Sequence, residues 1–277
     1  MAFASQNVRQ RIVSLAPSVT SILVALGARR QIVAVSKWCK DVADVGGLPE
    51  LGDCWSLDKS GDASALMELR PTLIVGSVPF KTETVQKILA LPVPFLALNP
   101  RSLADVNADI RVLGRAVQAN ARAEALIREM QRDFDRVRKI AKRGRTRPRV
   151  YCEAWPHPRI SSPPWVAELV DICGGEMIVP AGQCVADEDV ARANPEVIVL
   201  AWAATGGKSK PEQALANSAW RDVSAVRERR VFAIRDELLN TPGPPLVCGV
   251  EELLRVIHPE VAGKTQKRRG AAKRGTS

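Results

Sequence analysis

The sequence has one tyrosine, Tyr151, and two histidines, His157 and His258, among its 277 residues. Two histidines are too few for a metal site built from several histidines, and they make histidine-based acid–base catalysis a weak expectation. Six cysteines lie far apart without a CxxC pair, a spacing that favours buried thiols over a disulfide framework or a zinc ribbon. We therefore expect no metal site and no resident cofactor.

Long apolar runs are also missing. A run such as Val197–Ala204 is far shorter than the roughly 20 residues of a membrane-spanning helix. Residues 1–10 have no apolar core of the kind that a secretory signal needs. These absences predict no insertion into a membrane and, for the chain as it stands, a cytoplasmic location. A leader ahead of residue 1 would make the location periplasmic.

Enzyme motifs are scarce. The stretch Thr205–Ser209 resembles the end of a phosphate-binding loop, but Trp202 stands where the first glycine of GxxxxGK[ST] is needed. No GxGxxG follows the first strand-like run, and the sequence has no GxSxG. The sequence thus predicts a binding protein and not an enzyme.

The formal net charge is +10, and most of the excess is concentrated in two segments. One is Arg136–Arg149, at a predicted helix end, and the other is Lys264–Arg274, near the carboxyl terminus. Basic residues among glycine, alanine and threonine are typical of a disordered tail, here residues 263–277. Because the cations are not spread over a folded face, we expect no nucleic-acid partner.

Short β-branched runs alternate with helical patterns, which predicts an α/β fold of mainly parallel sheets covered on both faces. The clearest unit is a strand followed by Pro17, a helix over Val19–Leu26, and Gly27 at the position of a left-handed cap. The predicted strands are Ile12–Leu15, Ile32–Val35, Leu73–Val75, Val93–Leu96, Val150–Cys152, Val197–Leu200 and Val231–Ile234.

The middle of the chain, Ser102–Arg143, has helical spacing throughout with one break. Asn120 is suited to cap the second of these helices, whose apolar stripe predicts about 20 residues, or roughly 30 Å. We predict an amino-terminal lobe over 1–117, a single long interlobe helix over 118–146 and a carboxyl-terminal lobe over 147–262, in a monomer.

The two halves partly repeat each other. Leu69–Val75 (LRPTLIV) corresponds to Ala193–Val199 (ANPEVIV), and Pro195 stands 124 residues after Pro71. That offset is too long for a solenoid repeat and suits two similar lobes.

Tryptophans recur at or near the ends of predicted strands in both halves of the chain. Ligands of open parallel sheets bind beyond the carboxyl ends of the strands, although large core residues are the alternative explanation. With His157, which lies between two prolines, these indoles are predicted to line a cleft between the lobes, suited to a large, flat, partly apolar ligand. The five are Trp38, Trp55, Trp155, Trp165 and Trp202.

Several segments resemble the cobalamin and iron-chelate solute-binding proteins of ABC importers: IVSLAPSVTSILVALG, ELRPTLIVGS, NPEVIVLAW, EAWPHPRISSPPWVAELVDICGGE and TPGPPLVCGVEELLRVIHPE. The resemblance covers nearly all of residues 11–260. It implies two α/β lobes joined by one rigid helix, little lobe closure on ligand binding, and delivery of cobalamin or a related corrinoid to an ABC permease dimer.

The resemblance also implies that one glutamate on each lobe docks onto arginines of the permease. Glu188 matches this role, and Glu83 matches it more loosely. Heme-binding relatives ligate iron through tyrosine, so the single Tyr151 argues against heme. A ferric siderophore is the alternative ligand, for which Lys37 and Arg159 offer cations. A cytoplasmic protein that handles corrinoids or metal chelates on the same scaffold is a third possibility.

Overall fold

The computed structural model describes residues 10–57, 62–203 and 209–262. The first nine residues, the predicted basic tail 263–277, and residues 204–208 of the glycine-containing stretch lie outside the described residues. The chain divides into two units. Unit 1 contains the described residues up to Pro100 together with Ala104–Arg128, and unit 2 contains Arg101–Leu103 and the described residues from Glu129 onward.

Unit 1 is built on a five-stranded parallel sheet. Its strands are β1 Ile12–Ser14, β2 Ile32–Ser36, β3 Glu50–Leu51, β4 Leu73–Ser77 and β5 Phe95–Leu98. Its helices are α1 Pro17–Ala25, α2 Asp62–Glu68, α3 Thr82–Leu89 and α4 Leu103–Ala116, the last of which begins at the boundary with unit 2. The strand order is β3-β2-β1-β4-β5, and every neighbouring pair is parallel.

Helix α5, Asn120–Ala141, carries the chain from unit 1 into unit 2. Its 22 residues correspond to about 33 Å, which confirms the single long helix between the lobes. In its first turn the Arg122 guanidinium donates to the Leu26 carbonyl at the end of α1, beneath Gly27, which has the predicted positive φ of 74°. A side chain at Gly27 would collide with that guanidinium. Glycine is therefore needed here for two reasons: it adopts the positive φ of the helix cap, and it leaves room for Arg122.

Unit 2 contains the second sheet. Its strands are β6 Arg149–Pro156, β7 Arg159–Ser161, β8 Glu176–Met177, β9 Val197–Leu200 and β10 Val231–Ala233. Its helices are α6 Pro164–Ile172, α7 Asp187–Ala193, α8 Pro211–Leu215, α9 Ser224–Arg227, α10 Asp236–Leu239 and α11 Leu246–Ile257. The order is β10-β9-β6-β7 with β8 also on β6, and only the β6–β7 hairpin is antiparallel among these pairs.

The predicted strands lie close to the observed ones. Strand β9 matches residue for residue, and all four of its residues are buried, as expected for the centre of a covered parallel sheet. Strand β5 begins at Phe95, two residues later than predicted, because Pro94 has no N–H to donate to the ladder. The sequence did not predict β3, β7 and β8, since runs of two or three residues carry too little periodicity.

The internal repeat extends to the backbone. Arg70 and Asn194, which occupy equivalent positions, both adopt the left-handed conformation, with φ of 47° and 46°. Each follows a helix, α2 or α7, and precedes a proline and a buried strand, β4 or β9. A non-glycine residue rarely takes this conformation, so its recurrence at the same offset supports the prediction of two similar lobes.

Candidate ligand-binding site

The turn between β6 and β7 presents an exposed indole at the carboxyl end of a central strand. Trp155 is 38% exposed, and its Nε1 donates to the His157 carbonyl at 2.8 Å. Its backbone pairs with Ile160 across the hairpin, and a cis His157–Pro158 bond forms the turn. The His157 side chain is exposed. The hairpin and the hydrogen bond together hold the indole on the surface of unit 2.

A buried carboxylate lies on β6 beneath this turn. Glu153 has no exposed surface, and it accepts hydrogen bonds from three side chains, on β6 itself, on β7 and in the segment after β9. The donors are the Tyr151 hydroxyl at 2.8 Å, Arg159 Nη1 at 2.5 Å and Trp202 Nε1 at 2.8 Å. Such a carboxylate is stable inside a protein only when charge and hydrogen bonds compensate its lost hydration. Glu153 therefore ties the hairpin to the residues that follow β9.

Arg159 belongs to this buried cluster. Its side chain is 13% exposed and bridges Glu153 to Asp187 Oδ1, 2.8 Å away. Its guanidinium also stacks on the Trp220 ring, 4.2 Å from the centroid. The sequence predicts that Arg159 offers a cation to an anionic siderophore. In the structure, however, its guanidinium is already paired with two carboxylates of this chain, Glu153 and Asp187. A ligand anion would have to compete with a fully buried carboxylate for it.

Two of the predicted ligand-binding tryptophans lie in the core of unit 2. Trp202 is 6% exposed and packs with Tyr151 and Trp220, while its Nε1 bonds Glu153. Trp165 is 3% exposed in the first turn of α6, and its Nε1 donates to the Leu239 carbonyl at 2.8 Å. Buried indoles whose N–H groups are satisfied internally serve packing. Ligand contact by either stays a prediction.

Unit 1 has its own pair of indoles beyond strand ends. Trp38 follows β2 and is half-buried, and the Lys37 ammonium lies 4.5 Å from its ring centroid. Trp55 follows β3 and is 52% exposed. Its backbone N–H donates to Asp53 Oδ1 at 3.0 Å, and its carbonyl accepts from Thr84 at the start of α3. Both positions agree with the expectation of aromatic side chains at the carboxyl edge of the sheet.

The part of the chain that the structure describes contains few other features that could form a functional site. No group of three or more histidine, cysteine, aspartate or glutamate side chains is arranged to hold a metal ion there. Across the same residues no helix combines the length and apolarity that a membrane span requires. All six cysteines are free thiols, four of them buried. The aromatic edges of the two units are therefore the strongest candidate binding surfaces.

A family model described as "Periplasmic binding protein" matches residues 12–238, which is most of the chain. The chain belongs to the periplasmic binding protein family. An uncharacterised ABC transporter substrate-binding lipoprotein of Bacillus subtilis is 25% identical over 264 residues, covering 91% of this chain and 81% of the relative. A vitamin B12-binding protein of Pectobacterium carotovorum is 23% identical over 259 residues, covering 90% and 89%.

Solved structures of other proteins share the fold. A periplasmic heme-binding protein of Pseudomonas aeruginosa matches with a TM-score of 0.78 and 21% identity, over 91% of this chain and 94% of the other. This agreement confirms the two-lobed α/β architecture that the sequence predicts. Likeness at this level of identity concerns the fold and does not select a ligand.

The two glutamates assigned to permease docking occupy non-equivalent positions. Glu188 is exposed in the first turn of α7, the helix that leads into Pro195 and β9, as expected. Glu83 is exposed in the first turn of α3, which follows β4 instead of preceding it. The residue 124 positions before Glu188 is Ser64, exposed on α2. Both docking roles stay predictions, and the internal repeat favours Ser64 over Glu83 as the counterpart of Glu188.

Sequence reasoning missed Glu153 and Trp220. An isolated glutamate within an apolar strand pattern, VYCEAW, is the signal that could have indicated a buried carboxylate with dedicated partners. Trp220 is fully buried and packs edge-on against Tyr151, with ring centroids 6.0 Å apart. It lies in a short 3-10 turn, Ser218–Trp220, and was missed because the search considered only tryptophans that follow predicted strands.

Proposed function

We propose that this protein binds cobalamin or a related corrinoid and delivers it to the permease of an ABC importer. Membership of the periplasmic binding protein family and the similarity to proteins named as vitamin B12-binding support this proposal. The observation that carries it is the exposed Trp155 indole, held at the carboxyl end of β6 by its hydrogen bond to His157. A fixed apolar plane suits a ligand with a large ring face.

Two features support a corrinoid over the alternatives. Tyr151, the only tyrosine, is fully buried and donates to Glu153, and burial raises the pKa of its hydroxyl well above the usual range. It is therefore unsuited to bind a heme iron as a phenolate. Arg159, one of two cations considered for an anionic siderophore, is held by Glu153 and Asp187. A neutral or weakly charged ring ligand fits this surface better.

His157 supplies a second possible contact. Its imidazole is exposed on the same turn as Trp155. A neutral imidazole nitrogen is a common axial ligand of cobalt or iron at the centre of a tetrapyrrole. This exposed histidine, together with the structural likeness to a heme-binding protein, keeps a ferric chelate as the second candidate ligand.

For delivery, we propose Glu188 as the docking residue on unit 2. It is exposed in the first turn of α7, where its carboxylate is accessible to an arginine of a permease, whereas its neighbours Asp187 and Asp189 are paired with Arg159 and Arg192. Glu83 is a weaker proposal on unit 1, since it lies 4.0 Å from Lys81 and outside the internal repeat.

The test compares the parent with Trp155→Ala and Trp155→Phe. Cyanocobalamin and ferric heme are titrated in turn, and intrinsic tryptophan fluorescence and the visible spectrum are recorded. Removing an indole that packs on a bound ring costs about 2 kcal/mol, or roughly a thirtyfold loss of affinity. We expect that loss for cyanocobalamin with Trp155→Ala and a smaller loss with Trp155→Phe, which keeps a ring.

The outcomes separate the candidates. A shift of the visible bands on binding, abolished by His157→Ala, would indicate axial ligation. Tight binding of heme without binding of cyanocobalamin would replace the corrinoid by a ferric chelate. Equal affinities of the parent and Trp155→Ala would remove this indole from the site.

A further inference from the structure

The segment that joins α5 to β6 carries positive charge without acids of its own. Residues 139–149 contain six lysines and arginines and no aspartate or glutamate. Two of the six are paired, Arg147 with Asp171 and Arg149 with Glu196. The other four are exposed and have no salt bridge to any residue that the structure describes. They are Lys139, Lys142, Arg143 and Arg145.

These four cations lie at the amino-terminal edge of the second sheet. Lys139 is in the last turn of α5, and the other three precede the first residue of β6, Arg149. Strands β6, β9 and β10 are parallel, so the approach to β10 lies at the same edge, where Arg227 and Arg229 are exposed. The Trp155 turn is at the other end of β6, roughly 20 Å from Arg149 at about 3.3 Å per residue.

The carboxyl-terminal helix ends at this edge as well. The buried His258 ring, which follows α11, lies against Gly144, where an added Cβ would collide with it. Arg230 donates to two carbonyls in the last turn of α11 and holds it beside the start of β10. The described chain continues to residue 262, and the sequence that follows, 263–277, adds six cations and no acid.

Acidic side chains at this edge are fewer, and most of them are paired. Asp171 and Glu196 are held by the arginines already named, and Glu260 lies 2.8 Å from His258 Nδ1. Glu176 and Glu228 are exposed without a salt bridge to any described residue. Six exposed cations without such a partner therefore face two such acids. These six form the basic edge: Lys139, Lys142, Arg143, Arg145, Arg227 and Arg229.

The composition of this edge favours a lipid surface over a nucleic acid. Clusters of four to eight lysines and arginines are typical of segments that bind anionic phospholipids, and each cation raises partitioning about fivefold. Surfaces that bind single-stranded nucleic acid combine cations with aromatic side chains that stack on bases. Residues 139–149 and 227–230 contain no aromatic residue. Large apolar side chains are exposed elsewhere in the described chain, at Trp55, Leu89 and Trp155.

We propose that the basic edge docks unit 2 onto the anionic headgroups of a phospholipid membrane. The contact is electrostatic, since the edge exposes no large apolar side chain that could enter the hydrocarbon. The Trp155 turn stays accessible in this arrangement because it lies at the opposite end of β6. Docking is a function beyond ligand delivery and does not depend on which ligand the protein binds.

The test compares the full chain with a double charge reversal, Lys142→Glu with Arg143→Glu. The matched control, Arg132→Glu with Lys210→Glu, changes the net charge by the same amount at two exposed cations. Arg132 lies about 15 Å from Lys142 along α5, and Lys210 precedes α8 on the carboxyl side of β9. These separations exceed the Debye length of about 8 Å at physiological salt, so the control leaves the basic edge unaltered.

Cosedimentation is measured with vesicles of phosphatidylcholine alone and with vesicles that also contain phosphatidylglycerol, at low and at high salt. We expect the parent to bind only the anionic vesicles and to dissociate at high salt. The double reversal should lower the partition coefficient at least about tenfold, while the control stays within about threefold of the parent. A second reversal, Lys139→Glu with Arg145→Glu, should give a similar loss. Circular dichroism checks that each variant is folded.

Three results would overturn the proposal. One is parent-like vesicle binding by both reversals of the basic edge. Another is equal binding of the parent to neutral and anionic vesicles. The third is tighter binding to a DNA duplex than to anionic vesicles at the same phosphate concentration, which would assign the edge to nucleic acid. None of these results changes the expected affinity for cyanocobalamin, so the proposed function is tested separately.

Discussion

Glu153→Gln is the substitution that tests most directly how unit 2 is held together. The change keeps the size and shape of the side chain and removes only its negative charge. Glutamine can still accept from Trp202 Nε1 at the position of Oε1, but its amide nitrogen then meets both the Tyr151 hydroxyl and Arg159 Nη1, which donate to Glu153 Oε2 in the parent. No cavity forms, so any loss of stability reports on the buried charge cluster.

The magnitude follows from burial. Neutralising one partner of a buried ion pair costs roughly 3–5 kcal/mol, since the other charge stays buried without compensation. Arg159 retains Asp187 at 2.8 Å, which argues for the lower end, about 3 kcal/mol. At about 2–4 °C per kcal/mol for a domain of 150–250 residues, the melting temperature of unit 2 should fall by roughly 6–12 °C.

Asp171→Asn is the matched control. Asp171 Oδ1 lies 2.7 Å from Arg147 Nη2, a separation close to that of the Glu153–Arg159 pair, but both side chains are about 60% exposed. An exposed pair contributes only about 0–1 kcal/mol, because water and salt screen it. Thermal unfolding followed by circular dichroism and calorimetry compares the two variants. If both melt together with the parent, burial does not decide the strength of these pairs and the reasoning fails.

Two further predictions concern titratable groups. Burial, and then Asp105, raises the pKa of Asp109 to about 6, so the folded state binds this proton more tightly than the unfolded state and loses stability as the pH rises through 6. Asp109→Asn should gain roughly 1 kcal/mol at pH 7.5, discounted for partial exposure, and nothing at pH 4; a gain at both would contradict this. Ellman's reagent should label Cys184 and Cys248 in the native protein and the other four thiols only after unfolding, since burial raises the pKa of Cys152, for example, to about 12. More than two fast thiols would refute it.

Most of the fold could be predicted because its signals are local. Buried parallel strands appear in the sequence as short β-branched runs, and β9, which follows Pro195, shows that such a run is sufficient to predict a strand. Helix α5 was predictable from its length and its apolar stripe, which the structure shows as Ala123, Ile127, Met130 and Phe134. Of the apolar residues that predict this stripe, Met130, Phe134, Val137 and Ala141 are buried and Leu126 is half-buried, since Ala123 and Ile127 face the core in the first turns.

The candidate site was predictable in its location but not in its membership. The rule that ligands bind beyond strand ends singled out Trp155, which is exposed, and equally Trp202, which is 6% exposed. The two differ by their neighbours in space. Trp202 has a buried acceptor, Glu153, on the adjacent strand, and Trp155 has only the carbonyl of its own turn. Sequence order carries no information on which acceptor lies across a sheet.

This difference changes how aromatic and basic residues at strand ends should be interpreted in such proteins. Tryptophan and arginine are residue types enriched at binding surfaces, yet here Trp202 and Arg159 both donate to one internal carboxylate, and Trp220 stacks on Arg159. A buried glutamate needs several donors at once, and tryptophan and arginine are the side chains that donate while filling space. The buried Glu153 therefore explains the presence of Trp202 after β9 without any ligand. What remains on the surface of unit 2 is the Trp155 turn, whose support is the cluster beneath it.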